Sequence, residues 1–179
     1  MCYLYYKLVW MSELFGVSNS MNITILCVGK LKEEYFRAAA AEYIKRLSGY
    51  CTVSVIETAD EKIPERASRS EEERIKQKET ARLLEKIPRR DFVIVLDLSG
   101  KQADSPALSE LLSRQAANGF SGFTFVIGGS LGLAPAMLER ANFVLSASKM
   151  TFPHQLMRVI LLEQIFRAFK IARGETYHK

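Results

Sequence analysis

GFTFVIGGSLGL, residues 122–133, decides how the chain is read. Its first half, with Phe123, Phe125, Val126 and Ile127, is a near-continuous apolar run of the kind found in strands covered on both faces of a sheet. Its second half breaks into Gly128-Gly129, Ser130 and Gly132. A buried strand thus runs into a glycine-rich loop, and glycine lets backbone approach a ligand closely. Neither familiar phosphate motif fits. A dinucleotide fingerprint needs a second glycine where Ser130 stands, and it belongs to the first strand-to-helix turn. A P-loop needs a lysine, and nothing after Gly132 supplies one. From these residues alone, a plain turn and a ligand loop are both open.

Working outward, strand and helix patterns alternate. NITILCVG (22–29) reads as a buried strand ending at Gly29. KEEYFRAAAAEYIKRLSGY (32–50) reads as a helix, with Tyr35, Phe36, Ala39, Tyr43 and Leu47 on one face. CTVSVIET (51–58) is a second strand, with Val53 and Val55 alternating against Thr52 and Ser54. ASRSEEERIKQKETARLLEKI (67–87) is a charged helix whose apolar stripe is thin, and it reads as a solvated element. Ser70 and Glu73 have the spacing of a capping box there. Residues 62–70 before it are the best candidate for a mobile loop.

DFVIVLDLSG (91–100) is a central strand whose apolar run stops at Leu96. The next helix starts with Ser105 as N-cap and Pro106 at its first position, and Gly119 stops it. After the strand of residues 122–129 come a short helix (133–141), a last strand (142–148), the turn KMTFPH and a long helix (154–174). Such alternation predicts one α/β domain with a mostly parallel sheet.

Composition narrows the class. Of 179 residues, 48% are hydrophobic and 25% charged, and the net charge of +5 is compatible with an anionic partner such as RNA. Three cysteines without a C-x-x-C pair, and only two histidines, argue against a disulfide framework or a metal site. A reducing cytosolic setting fits. The first twenty residues are aromatic and apolar but broken by Lys7 and Glu13, too short for a membrane span. They are expected to be an extension outside a domain of residues 21–179.

Ligands of open α/β sheets bind beyond the carboxyl ends of strands. Three loops qualify: the one after Leu96, Gly128 to Gly132, and Ser146 to His154. They are expected to form one pocket for a planar heterocycle such as adenine. The last helix is apolar over most of its circumference, with Glu163, Arg167, Lys170 and Gly174 as a narrow polar stripe. No spare long apolar helix remains to cover its second side, which predicts a homodimer.

Four features together resemble the SPOUT methyltransferases, and within them the small RlmH type. They are ILCVGKLKEEYFRAAAAEYIKRL, VLDLSGK, the pair FVIGGSLGL and FVLSASKMTFPHQLMRVILLEQIFRAFKI, and the terminal YHK. The resemblance runs from Met21 to Lys179. It implies an α/β fold with a deep C-terminal trefoil knot, and a cytoplasmic homodimer. The implied activity is methylation of N3 of a pseudouridine in the helix-69 loop of 23S rRNA with S-adenosylmethionine. Two alternatives stand beside it: a tRNA methyltransferase of the same superfamily, and a non-catalytic ribosome-associated module.

Carried over by residue, cofactor contacts fall on Leu96, Gly129, Ser148, Lys149, Met150, Thr151, Phe152 and Pro153. His178 is the expected base, with Tyr177 and Lys179 positioning it or a phosphate. His154 is a candidate for a direct site role or a plain capping histidine, and Arg158 for a phosphate or imidate contact. Asp97 is a candidate for orienting the cofactor, and Glu163 reads as an interface residue. Lys30, Lys32, Arg66 and Arg69 are the candidate RNA contacts. No metal or membrane is expected.

Overall fold

The computed structural model describes residues 21–176, so the N-terminal stretch and the tail Tyr177-His178-Lys179 lie outside the described residues. Strand β1 (Asn22–Val28) leads to helix α1 (Glu34–Leu47), β2 (Thr52–Thr58), α2 (Arg69–Leu84), β3 (Phe92–Gln102) and α3 (Ser105–Ala117). Then come β4 (Gly122–Ile127), α4 (Pro135–Arg140), β5 (Phe143–Ser146) and α5 (His154–Ala172). The strands form one parallel sheet in the order β2-β1-β4-β3-β5. The expected single α/β domain is what the chain forms.

Hydrophobic burial divides the helices between the two faces. Ile23, Ile25, Phe123, Phe125 and Ile94 point to one side, where α1, α3 and α5 supply Leu47, Leu112, Ile165 and Phe169. Leu26, Val28, Val93, Val95 and Val126 point to the other, against Leu83 of α2 and Met137 of α4. Every residue of β4 is buried, which explains why its sequence does not alternate. β2 is an edge strand, and Val55, expected inward, is 39% exposed because no further strand or helix covers it fully.

Several local expectations are corrected. The inward stripe of α1 runs through Ala40 and Leu47, with Phe36, Tyr43 and Ile44 partly buried, and Tyr35 stays outside. The capping box of α2 is Ser68 with Glu71, not Ser70 with Glu73. Both serines have a glutamate three residues on, and starting at Ser68 gives the helix two more residues. Asp104, not Ser105, caps α3 by accepting from the Ala107 amide. Ser105 Oγ donates instead to Gln164 Oε1 on α5.

The second side of α5, expected to be uncovered within the chain, is largely covered by two helices. α1 and α3 flank α5 on the same sheet face. Tyr43 and Tyr50 stack against Phe166, and Ser109 Oγ donates to the Ala168 carbonyl. What stays half-exposed is the outward stripe of Leu156, Val159, Ile160, Glu163, Arg167 and Ile171.

Candidate functional site

Because all five strands are parallel, their carboxyl ends lie on one side, and the loops leaving them meet there. The middle of β3, just where its apolar run stops (Leu96, Asp97, Leu98), the β4–α4 loop (Gly128 to Leu133) and the β5–α5 loop (Ala147 to Pro153) line one cleft of about 760 Å³. His154 and Met157 of α5 complete it. Of the expected cofactor contacts, Leu96, Gly129, Ser148, Met150, Thr151, Phe152 and Pro153 line this cleft together. Lys149 is exposed and is absent from the lining.

Each wall has a local cause. β3 runs on past its apolar core. After an irregularity, Lys101 and Gln102 pair with Leu145 and Ser146, which keeps the polar Asp97–Gly100 segment on the sheet. Asp97 Oδ1 accepts from both the amide and the hydroxyl of Ser99. In the glycine loop, the Gly132 amide donates to the Gly129 carbonyl at 3.1 Å, and Gly132 has a φ of 82° that disfavours a side chain. Ser148 Oγ accepts from the Met150 amide and its carbonyl accepts from Ser146 Oγ, a turn that sets the start of the third wall.

Gly129 is glycine for a different reason. A Cβ there would lie 2.7 Å from Glu79 Oε2 and 3.2 Å from Val28 Cγ1. Glu79 comes from α2, the helix expected to be solvated, yet it is only 4% exposed. Its Oε1 accepts from the Glu61 amide at 2.9 Å. Burial raises its carboxyl above the usual range, against the pull of that hydrogen bond, and the charges of Asp60 and Glu61 add to the rise. The neighbouring Thr80 hydroxyl accepts from the Ala134 amide at 2.9 Å. Sequence reading missed both residues. A signal was present: Ile75, Glu79 and Leu83 recur at i, i+4 and i+8 on one buried stripe.

His154 opens α5 and lines the cleft. Burial lowers its imidazole below the ordinary 6.5, the positive charge of Arg158 acts the same way, and Asp60 opposes. The ring is therefore neutral at pH 7. Arg158, one turn on, is 1% exposed and does not line the cleft. Its Nη1 donates to Glu57 Oε1 at 2.8 Å, and its Nη2 to the carbonyls of Val28 and Gly29 at 2.7 and 2.8 Å. Glu57 Oε1 also accepts from the Leu31 amide, and Gln155 Oε1 from the Lys32 amide. The β1–α1 loop is thereby tied to the first turns of α5. Among the described residues, no three His, Cys, Asp or Glu side chains could hold a metal ion. Nor is any helix among them long and apolar enough to cross a membrane.

Leu96, Leu98, Leu133, Leu145, Phe152 and Met157 give the cleft apolar walls, interrupted by loop backbone, by the Ser130, Ser148 and Thr151 hydroxyls and by the Asp97 carboxylate. Among the described residues, no lysine or arginine lines it. Such a cleft suits a largely apolar, planar ligand with a few polar groups and is unsuited to a triphosphate.

The chain is similar to known proteins. The family model described as "Predicted SPOUT methyltransferase" matches residues 21–178. The chain is 57% identical over 159 residues to the "Ribosomal RNA large subunit methyltransferase H" of Clostridium novyi, an alignment that covers 89% of this chain and 100% of that protein. Its fold is similar to the crystal structure of a probable methyltransferase from Bordetella pertussis, with a TM-score of 0.51 at 14% identity, covering 90% of this chain and 99% of that one. The chain belongs to the SPOUT methyltransferase family.

Proposed function

We propose that the chain is an S-adenosylmethionine-dependent methyltransferase of large-subunit ribosomal RNA, acting in the cytoplasm on N3 of a pseudouridine in the helix-69 loop. The observation that carries this reading is the convergence of Leu96, Gly129 and Ser148–Pro153 in one cleft without a phosphate cradle. The 57% identity to a protein named for large-subunit rRNA methylation supports the substrate class. Threading of the C-terminal segment into a trefoil knot, as in the family, belongs to the same reading.

The residues present fit the cofactor. The apolar side chains of the cleft would hold adenine, and loop backbone and hydroxyls its polar groups. Lys149 stays in the proposal only through its backbone, as part of the turn from Ser148 to Pro153. When bound, the cofactor supplies a methyl group on a sulfonium, which becomes a neutral thioether as the methyl leaves. The protein aligns N3 with that methyl, a proximity effect, and a base must take the N3 proton. His178 is the proposed base, with Tyr177 and Lys179 positioning it or an RNA phosphate. His154, neutral and in the cleft, is the second candidate. Arg158 is not a substrate contact in this reading, because it is buried and its Nη1 and Nη2 are held by Glu57 and two carbonyls.

The place of Glu175 makes the homodimer part of the proposal. Glu175 is held by the Tyr50 hydroxyl at 2.8 Å, beside the start of β2 and so at the amino ends of the strands. His178 follows three residues later, a reach of roughly 10 Å. The cleft lies at the other ends of strands that span roughly 23 Å. A tail base would therefore serve a second copy's cleft. The half-exposed outward stripe of α5, with Leu156, Val159, Ile160 and Ile171 around the Glu163–Arg167 ion pair, is the surface such a copy would cover.

The test is methyl incorporation into ribosomes, mapped by mass spectrometry of the helix-69 fragment, with His178→Ala and His154→Ala compared. Incorporation into tRNA alone would replace the substrate. Cofactor binding without incorporation into any RNA would favour a non-catalytic ribosome-associated module. Mixing His178→Ala with the cleft-blocking Leu96→Arg should restore activity that neither variant has, and an inactive mixture of exchanged dimers would refute the cross-subunit base.

A further inference from the structure

A glycine-rich loop has few side chains with which to anchor itself. Its position must be set by what stands behind it. Behind Gly129 stands the Glu79 carboxyl of α2, so close that a Cβ on residue 129 would meet Oε2 at 2.7 Å. Gly129 does not have a positive φ, so space and not backbone conformation is what demands glycine there. Glu79 is poorly placed to swing aside. It is 4% exposed, and its other oxygen accepts from the Glu61 amide. One residue on, Thr80 takes the amide of Ala134 at the far end of the same loop. Two adjacent residues of one helix thus hold both ends of one cleft wall.

We propose that Glu79 is a positioning residue for the cofactor: its carboxyl group sets the depth of the Gly129–Gly132 wall in the cleft, and Thr80 fixes the far end of that wall. This rests on the reading of the cleft as an S-adenosylmethionine site. It adds a residue that acts through Gly129 and does not itself line the cleft. The pairing also makes residues 79 and 129 interdependent, since the space a side chain would need at 129 is the space Glu79 fills.

That interdependence is the test. Cofactor affinity is measured by calorimetry on the purified full chain carrying Gly129→Ala, Glu79→Ala, both changes, or Glu79→Gln. Urea unfolding of each variant confirms that the fold is kept. Gly129→Ala should weaken S-adenosylmethionine binding tenfold or more by pushing the wall into the cleft. Glu79→Ala should also weaken it by leaving the wall unsupported. The double variant should bind better than Gly129→Ala alone, because the new methyl enters the vacated space. Glu79→Gln keeps the shape and the acceptor for the Glu61 amide, and should stay within threefold of the parent. In turnover assays the Glu79→Ala defect should raise the KM for cofactor and leave the KM for RNA unmoved. Multiplicative losses in the double variant, with normal parent binding, would overturn this inference alone. Failure of the parent chain to bind S-adenosylmethionine would overturn the functional reading and this inference with it.

Discussion

Replacing Arg158 by methionine should destabilise the domain by about 3 kcal/mol without touching the cleft lining. The magnitude follows from what the guanidinium holds. Its loss leaves the Val28 and Gly29 carbonyls without the donors they now have at 2.7 and 2.8 Å. Stranding a buried acceptor costs about 1–3 kcal/mol, and breaking a buried ion pair from one side about 3–5. Two features pull the total below that sum. Glu57 is 29% exposed and retains the Leu31 amide, so water can take over its lost partner. Among the described residues Arg158 Nε has no hydrogen-bond partner, so the native arrangement carries a cost that methionine removes. At about 2–4 °C per kcal/mol for a domain of this size, the melting temperature should fall by roughly 6–12 °C. Urea unfolding at one fixed protein concentration, extrapolated linearly to water, reads the change. A difference under about 1 kcal/mol would refute the clamp. Loss of methyl transfer with full stability would show instead that Arg158 serves the substrate.

Three further outcomes are expected. Thr80→Val should cost about 1–3 kcal/mol in urea unfolding by stranding the Ala134 amide, and Thr80→Ser should recover most of it. Gly100→Ala should destabilise by about 1–3 kcal/mol in the same assay, because a Cβ there meets the Val144 and Leu145 backbone at 2.7 Å and cannot push it aside cheaply. His154 should titrate below its ordinary 6.5 in an NMR titration assigned with His154→Gln. Since protonation is disfavoured in the folded state, the unfolded chain takes the proton first. Stability should therefore fall as pH drops through 6.5 toward the depressed value, and His154→Gln should remove that part of the pH dependence. A titration at or above 6.5 would contradict the burial of the ring.

The sequence made the strands legible because a parallel sheet covered on both faces needs continuous apolar runs, and Ile23–Val28, Phe92–Leu96 and Phe123–Ile127 are such runs. It made the cleft legible because the apolar runs of β3 and β4, and the shorter one of β5, give way to polar or glycine-rich segments on the same side of a parallel sheet. The order of the strands was not legible, since nothing local in β1 says that β4 will be its neighbour. The extension of β3 to Gln102 was hidden for a related reason. Asp97, Ser99 and Lys101 read as loop residues by polarity, whereas the pairing that keeps them in the sheet is made by backbone with β5. The flanking of α5 was misjudged because neither α1 nor α3 reads as a long apolar helix. The run of alanines in α1 lets it approach closely, and its aromatic residues, with Tyr50 just beyond, reach across to Phe166 and Phe169.

The charged residues that escaped the reading share one physical cause. A wall made of backbone and small residues cannot lock itself in place, so the fold must brace it with groups that hydrogen-bond to peptide. Apolar side chains pack but cannot do that. On the β4–α4 loop the hydrogen-bonding brace is Thr80, with Glu79 standing behind Gly129 and tied through the Glu61 amide to the β2–α2 loop, and on the β1–α1 loop it is Arg158 with Glu57 and Gln155. Glu79, Thr80 and Arg158 occupy buried positions on their helices where periodicity calls for a core residue, and Glu79 looks like surface charge in the sequence. Burying them costs desolvation that an apolar residue would avoid, as the raised carboxyl of Glu79 shows. A charged residue in register with the core stripe of a helix that packs behind a glycine-rich loop is therefore better read as a brace than as a solvated side chain.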